Sequence, residues 1–157
     1  MLDAFLKTLH VMSVIVWIGG MVFAHFFLRP SLAVLEPPSR LALMAAVLGR
    51  FFRAVMVAAP LAWVSGLWML DRAARAVAES GGVFLMPVYW SLMAALGTVM
   101  LGIFLVIRFG SYRALLQALN GGNESAAAAA LGRVRQWVVV NLALGVLVLL
   151  VTLLRWP

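Results

Sequence analysis

Four stretches of the chain are apolar and free of formal charge over a length that suits a membrane-spanning helix. They lie between Lys7 and Arg29, Arg53 and Asp71, Glu79 and Arg108, and Arg135 and Arg155. A hydrocarbon layer of about 30 Å needs about 20 apolar residues in helical form. The pattern predicts spans at about residues 5–28, 51–71, 86–108 and 136–155. We therefore expect an all-α integral membrane four-helix bundle, with residues 1–157 forming a single membrane domain.

Helical patterning continues past the membrane on one side. Apolar residues recur at helical spacing after the two prolines at 37 and 38, so the second helix is expected to run from about Ser39 through Leu70. The turn at residues 120–123 reads Asn-Gly-Gly-Asn. It predicts that the third helix reaches Leu119 and that the fourth starts beside this turn. Two helical hairpins should therefore extend beyond the bilayer, into the cytoplasm on the assignment below.

Proline and glycine make two further predictions about the helices. Pro30 lacks an amide N–H and disfavours helical geometry in the residue before it, so the first helix is expected to end near Leu28. Small residues within spans let helix backbones approach closely. The glycines expected at such contacts are Gly19, Gly20, Gly66, Gly97, Gly102 and Gly145.

Composition and charge distribution support lipid as the main partner. The chain is 66% hydrophobic and 11% charged, and its net charge is +7. Eight of the twelve lysines and arginines flank the first and third loops. This bias is the positive-inside pattern, which predicts cytoplasmic loops on that side and periplasmic N- and C-termini. Anionic headgroups suffice as partners for the arginines, so nucleic acid is not expected.

The chain has two histidines, His10 and His25, and both lie in the first span. Such residues are functional candidates because an unpaired imidazole in hydrocarbon is costly. Their separation of 15 residues places them about 22 Å apart along a helix, too far to share one metal ion. The alternative for each is an imidazole that is hydrogen-bonded within the bundle or hydrated at the interface.

The helix face of His10 continues through Trp17 and Met21. An apolar, aromatic face with one imidazole suits a haem, whose iron takes a nitrogen ligand, although an ordinary bundle interior has the same composition. Met69 and Met93 are candidates for a second ligand at a similar depth. Thioether sulfur together with imidazole would also suit Cu(I), although methionines often only fill gaps in a core.

Four polar residues elsewhere complete the candidate cofactor site. Arg29, Arg53 and Arg135 near the loop ends of the spans could hold haem propionates or acidic lipids through forked hydrogen bonds, or simply anchor the helices. Asn141, in the fourth span, needs a partner and is a candidate bridge between helices. The chain has no cysteine and no established catalytic or phosphate-binding motif, so an enzyme of a familiar soluble class is not expected.

Several motifs resemble those of CopD-type membrane proteins. The first helix carries HVMSVIVWIGGM from residue 10, then FAH from residue 23 and LRP from residue 28. Later matches are EPPSRL from residue 36, GRFF from 49, SGLW from 65, RVR from 133 and VNLALG from 140. The resemblance covers nearly the whole chain and implies a small bacterial inner-membrane protein. CopD-type proteins are associated by name with copper resistance or uptake across that membrane.

The first helix is also similar in outline to HemJ-type protoporphyrinogen oxidases, which pair a first-helix histidine with a lysine on a later helix and associate with b-type haem. Here the only lysine is Lys7, so that later lysine is absent. The leading hypothesis is a b-type haem held by His10 for a redox or electron-transfer role. Copper transport or resistance is the alternative, and a cofactor-free assembly subunit is the third. A membrane redox partner and a homo-oligomer remain open.

Overall fold

The computed structural model describes residues 1–154, which form four long helical segments and contain no strand. We number these segments α1 (Leu2–Val34), α2 (Pro37–Glu79), α3 (Val88–Asn120) and α4 (Glu124–Leu153). Each is long and apolar enough to cross a membrane. The prediction of an all-α membrane four-helix bundle is confirmed. The fourth predicted span extends to Arg155, which lies outside the described residues.

Short connections arrange the helices as two antiparallel hairpins. Helix α1 packs mainly on α2 and helix α3 mainly on α4, while contacts of α2 with α3 and of α1 with α4 close the bundle. The predicted turn between α3 and α4 is confirmed: Gly122 has a φ of 66°, in the left-handed region, and Asn123 caps α4 by accepting a 3.0 Å bond from the Ala126 amide. Helices α2 and α3 both extend past the predicted spans.

The prediction that the first helix ends near Leu28 is wrong, because helical structure continues to Val34. A π-helical segment, Phe23–Leu28, precedes the proline, and the Arg29 amide bonds to the Ala24 carbonyl five residues back. Pro30 then lies in the first turn of the segment Arg29–Ser31, a position at which helices tolerate proline. The π-helical segment thus allows helical structure to continue through Pro30.

An aromatic cluster joins three of the helices. Trp17 of α1 and Phe52 of α2 both contact Phe104 of α3 edge-on, with ring centroids 6.2 and 6.0 Å apart. Tyr112 lies 5.1 Å from the Phe52 ring and donates a buried 3.0 Å hydrogen bond to the Ala45 carbonyl. Edge-to-face pairs contribute about 0.5–1.5 kcal/mol each beyond their burial. This cluster fixes α3 against the α1–α2 hairpin.

Much of the outer surface of the bundle is apolar. Large hydrophobic side chains are exposed along all four helices, which include Ile15, Val57, Val64, Val99, Val140 and Leu150. Water-soluble monomers rarely expose such a continuous apolar surface, whereas it suits contact with lipid acyl chains.

The two ends of the bundle differ in charge. At one end, which we call the terminal end, an Asp3–Arg72 ion pair joins α1 to α2. At the opposite end, which we call the basic end, lie Arg29, Arg40 and Arg135.

Three of the six predicted contact glycines lie against another helix. A Cβ at Gly20 would meet the Phe51 ring, one at Gly66 would meet His10, and one at Gly145 would meet Ile18 and Met100. A Cβ added at Gly19, Gly97 or Gly102 would have no neighbouring atom within 4 Å, so these glycines are not needed for close approach between helices.

This difference predicts opposite effects for two adjacent substitutions. Gly20→Ala would place a Cβ in steric overlap with Cε2 of Phe51 and force that ring to move. We expect it to lower the free energy of unfolding by about 1–3 kcal/mol, as overpacking does. Gly19→Ala meets nothing, and the helix preference of alanine should raise stability by about 0.5–1 kcal/mol. Thermal unfolding in detergent measures both, and equal midpoints would contradict this packing.

Candidate functional site

His10 lies in the buried stripe by which α1 faces the rest of the bundle. Leu6, Ser13, Trp17 and Met21 are buried at helical spacing along α1, and half-buried His10 falls between the first two. The stripe therefore carries an imidazole into the α1–α2 interface near the terminal end.

The His10 ring is held by the backbone of α2. Its Nδ1 atom lies 2.7 Å from the carbonyl oxygen of Ala62 and 3.3 Å from the hydroxyl oxygen of Ser65. A carbonyl can only accept a hydrogen bond, so Nδ1 must carry the proton. In the neutral imidazole the lone pair then lies on Nε2. This tautomer is the one that an imidazole adopts when Nε2 binds a metal and Nδ1 donates to a backbone carbonyl.

Two small residues of α2 make room for this ring. A Cβ at Gly66 would lie 3.1 Å from Cε1 of His10, tighter than ordinary van der Waals contact. The Ser65 hydroxyl donates to the carbonyl of Leu61 in its own helix, so its oxygen is left to accept from the imidazole. The sequence pattern identified His10, but it did not indicate that Ala62 and Ser65 would face it, because nothing in the spacing of α1 reports the register of α2.

Trp17 and Met21 share the buried face of α1 with His10, but not its depth. They lie seven and eleven residues farther along the helix, about 10 and 16 Å toward the basic end. Trp17 belongs to the aromatic cluster through its contact with Phe104. In the described structure both side chains are part of the core.

The two methionines proposed as further ligands are half-buried on neighbouring helices. Met69 lies one turn from Ser65 and Gly66 on α2, and Met93 lies two turns from buried Met100 on α3. Within residues 1–154 no three His, Cys, Asp or Glu side chains are close enough to hold a metal ion together. A metal at His10 with three or more ligands would therefore take at least one of them from sulfur, backbone or solvent.

His25 lies in a different site, at the basic end. It lines a cleft of about 620 Å³ together with three arginines from three parts of the chain, Arg29, Arg40 and Arg135. We call this site the basic cleft; its remaining wall is mainly apolar and includes Ala24, Leu32, Met44, Leu48, Leu131, Val134 and Val138. Arg40 was not among the predicted site residues, because its position after two prolines marked it only as a loop charge.

The third predicted arginine lies elsewhere. Arg53 lines a second cleft, of about 380 Å³, with Arg50, Arg108 and Tyr112. The structure thus brings His25, Arg29 and Arg135 together, and separates them from Arg53 and from His10. The 15 residues between the histidines correspond to about 22 Å along α1.

Asn141 is 1% exposed in the interior of α4. Its Oδ1 atom is buried and has no hydrogen-bond partner among the described residues, so the interhelical bridge expected there is not seen. It lies one turn from Gly145, which faces Ile18 and Met100, and one turn from Val138 of the basic cleft. A buried amide oxygen without a donor is costly, which makes this position a candidate for a bound water or ligand.

Comparison with known proteins gives one match. The model of the family CopD, described as copper resistance protein D, matches residues 45–155, more than two thirds of the chain. The matched region begins within α2 and leaves both histidines of α1 outside it. No curated protein and no solved structure matches the chain.

Proposed function

Because the chain belongs to the CopD family of copper resistance proteins, we propose that it binds copper ions in the membrane and moves them across it, with His10 as a copper ligand. One observation carries this proposal: the Nδ1–H group of His10 donates a hydrogen bond to the Ala62 carbonyl oxygen, with Nδ1 and the oxygen 2.7 Å apart. The lone pair on Nε2 is therefore left to bind a metal. Family membership supports copper as the metal.

The ligands near His10 favour Cu(I). Thioether and imidazole groups are soft ligands that suit this ion, and the chain has no cysteine to compete for it. Met69 and Met93 are the methionines that we assign to the same site. Both lie toward the terminal end of the bundle, so copper would enter the bundle from that side.

The copper assignment predicts that removing the His10 imidazole weakens Cu(I) binding. Purified protein, titrated with Cu(I) against a competing chelator under reducing conditions, should bind the ion. His10→Ala should weaken the affinity by at least about tenfold, which corresponds to about 1.4 kcal/mol. His25→Ala removes the same group at the other end and is the matched control, expected to bind like the wild type. Equal affinities for all three proteins would contradict the proposed site.

A b-type haem at His10, with a redox or electron-transfer role, is the second candidate function. The same observation favours it, because a haem iron also takes an imidazole nitrogen whose partner nitrogen donates to a carbonyl. Arg29 and Arg135 lie beside His25, about 22 Å along the helix from His10, so the propionates of such a haem would need other partners.

An absorption spectrum separates the two candidates. If haem is bound at His10, protein purified after expression with ample haem should show a Soret band that His10→Ala abolishes and His25→Ala preserves. A band lost only in His25→Ala would place the haem in the basic cleft. Absence of both haem and copper binding, with a stable complex that tolerates His10→Ala, would favour the third hypothesis, a cofactor-free assembly subunit.

We further propose that the basic end faces the cytoplasm in a bacterial inner membrane, with the termini periplasmic, because eight of twelve cationic residues flank the loops there. The absence of cysteine allows a direct test. A membrane-impermeant maleimide applied to spheroplasts should label Ser80→Cys, between α2 and α3. Asn120→Cys, beside the opposite turn, should react only after lysis. The reverse pattern would invert the topology, and labelling of both in intact spheroplasts would contradict a membrane-spanning bundle.

A further inference from the structure

The basic cleft concentrates three arginines, none of which forms an ion pair with a carboxylate within residues 1–154. Its three arginines come from α1, α2 and α4. Both ion pairs found within residues 1–154, Asp3–Arg72 and Asp71–Arg75, lie at the terminal end. Three guanidinium groups around one cleft repel one another unless an anion lies between them.

We propose that this cleft binds the phosphate headgroup of an anionic phospholipid, with Arg29, Arg40 and Arg135 as the headgroup ligands. Guanidinium groups present planar pairs of N–H donors that match phosphate oxygens. Basic pockets between membrane helices on the positively charged side are suited to such headgroups. His10, the proposed metal ligand, is not among the residues of this cleft.

Arg40 provides the most specific evidence for a missing acceptor. One terminal nitrogen of its guanidinium donates to the carbonyl oxygens of Ala33 at 3.1 Å and Leu35 at 2.8 Å, which fixes the side chain. Its Nε atom is buried and has no acceptor among the described residues. A buried N–H of a charged group without an acceptor costs free energy. A phosphate oxygen in the cleft would supply the missing acceptor once a shift of the Arg40 side chain turned this buried donor toward the cleft.

The shape of the cleft favours a lipid over free phosphate. Beyond the arginines the wall is formed by apolar side chains of α2 and α4, among them Leu48, Val134 and Val138. An inorganic ion would leave this wall uncovered. An amphiphile can place its phosphate at the arginines and an acyl chain along the wall, so that polar and apolar surfaces are both matched. A volume of about 620 Å³ admits a headgroup and the first part of a chain.

The sequence offers a matched pair of variants for the test. Arg135 lines the cleft, whereas Arg133, two residues earlier on the same helix, does not, and both are exposed. Arg133→Gln and Arg135→Gln therefore remove the same charge at nearly the same depth. A general attraction between a basic surface and anionic lipid would respond equally to the two substitutions.

Full-length protein in a neutral detergent would be titrated with phosphatidylglycerol, phosphatidylcholine and inorganic phosphate, with binding followed by native mass spectrometry and thermal shift. We expect phosphatidylglycerol to bind and raise the melting temperature, and the other two to have little effect. Arg135→Gln should weaken phosphatidylglycerol binding by about tenfold or more, and Arg133→Gln by less than about threefold. Arg29→Gln and Arg40→Gln should behave like Arg135→Gln.

Each of the following results would overturn the proposal. Equal losses in Arg133→Gln and Arg135→Gln would indicate diffuse attraction, and equal binding of phosphatidylcholine would remove the role of charge. Saturation by inorganic phosphate alone would make the site a free-anion site. A haem that displaces the lipid and loses its Soret band in His25→Ala would assign the cleft to that cofactor. If Arg135→Gln does not fold, Arg135→Lys retains the charge without the forked donors, and unweakened binding there would equally contradict the proposal.

Discussion

The absence of water around the helices is the constraint on which the rest of the structure depends. In hydrocarbon each backbone polar group must be satisfied within the protein, and a polar side chain must find a partner in the bundle. Four continuous helices meet the first requirement, even across Pro30, where a π-helical segment shifts the hydrogen-bond register. The bond from His10 to the Ala62 carbonyl meets the second, and it also determines which ring nitrogen remains free for chemistry.

Features encoded locally were predictable from the sequence. The turn at residues 120–123 and the long α2 helix followed from glycine, asparagine and apolar spacing, since each depends on neighbours in the chain. The end of the first helix was not predictable, because the rule for Pro30 assumes α-helical geometry, which the preceding π turn replaces. Local sequence likewise did not separate Gly20, which contacts Phe51, from its neighbour Gly19.

The candidate sites show the same division between local and tertiary information. Spacing along α1 was enough to separate His10 from His25, because a helix has a fixed rise. It could not indicate that Arg40 of α2 and Arg135 of α4 would meet at His25, while Arg53 joins a different cleft. Residues from different helices are brought together by packing, and the orphaned Oδ1 of Asn141 is visible only once the bundle is assembled.

The two proposed sites are connected by electrostatics. A copper ion leaving His10 for the basic end would approach Arg29, Arg40 and Arg135. Like charges repel, so the three guanidinium groups oppose the exit of a cation at this end, and most strongly where solvent screens them least. An anionic headgroup among the arginines offsets part of that repulsion. If copper crosses the bundle, lipid in the basic cleft therefore lowers the barrier at the side where the ion departs. A cleft without lipid favours retention of the ion near the terminal end.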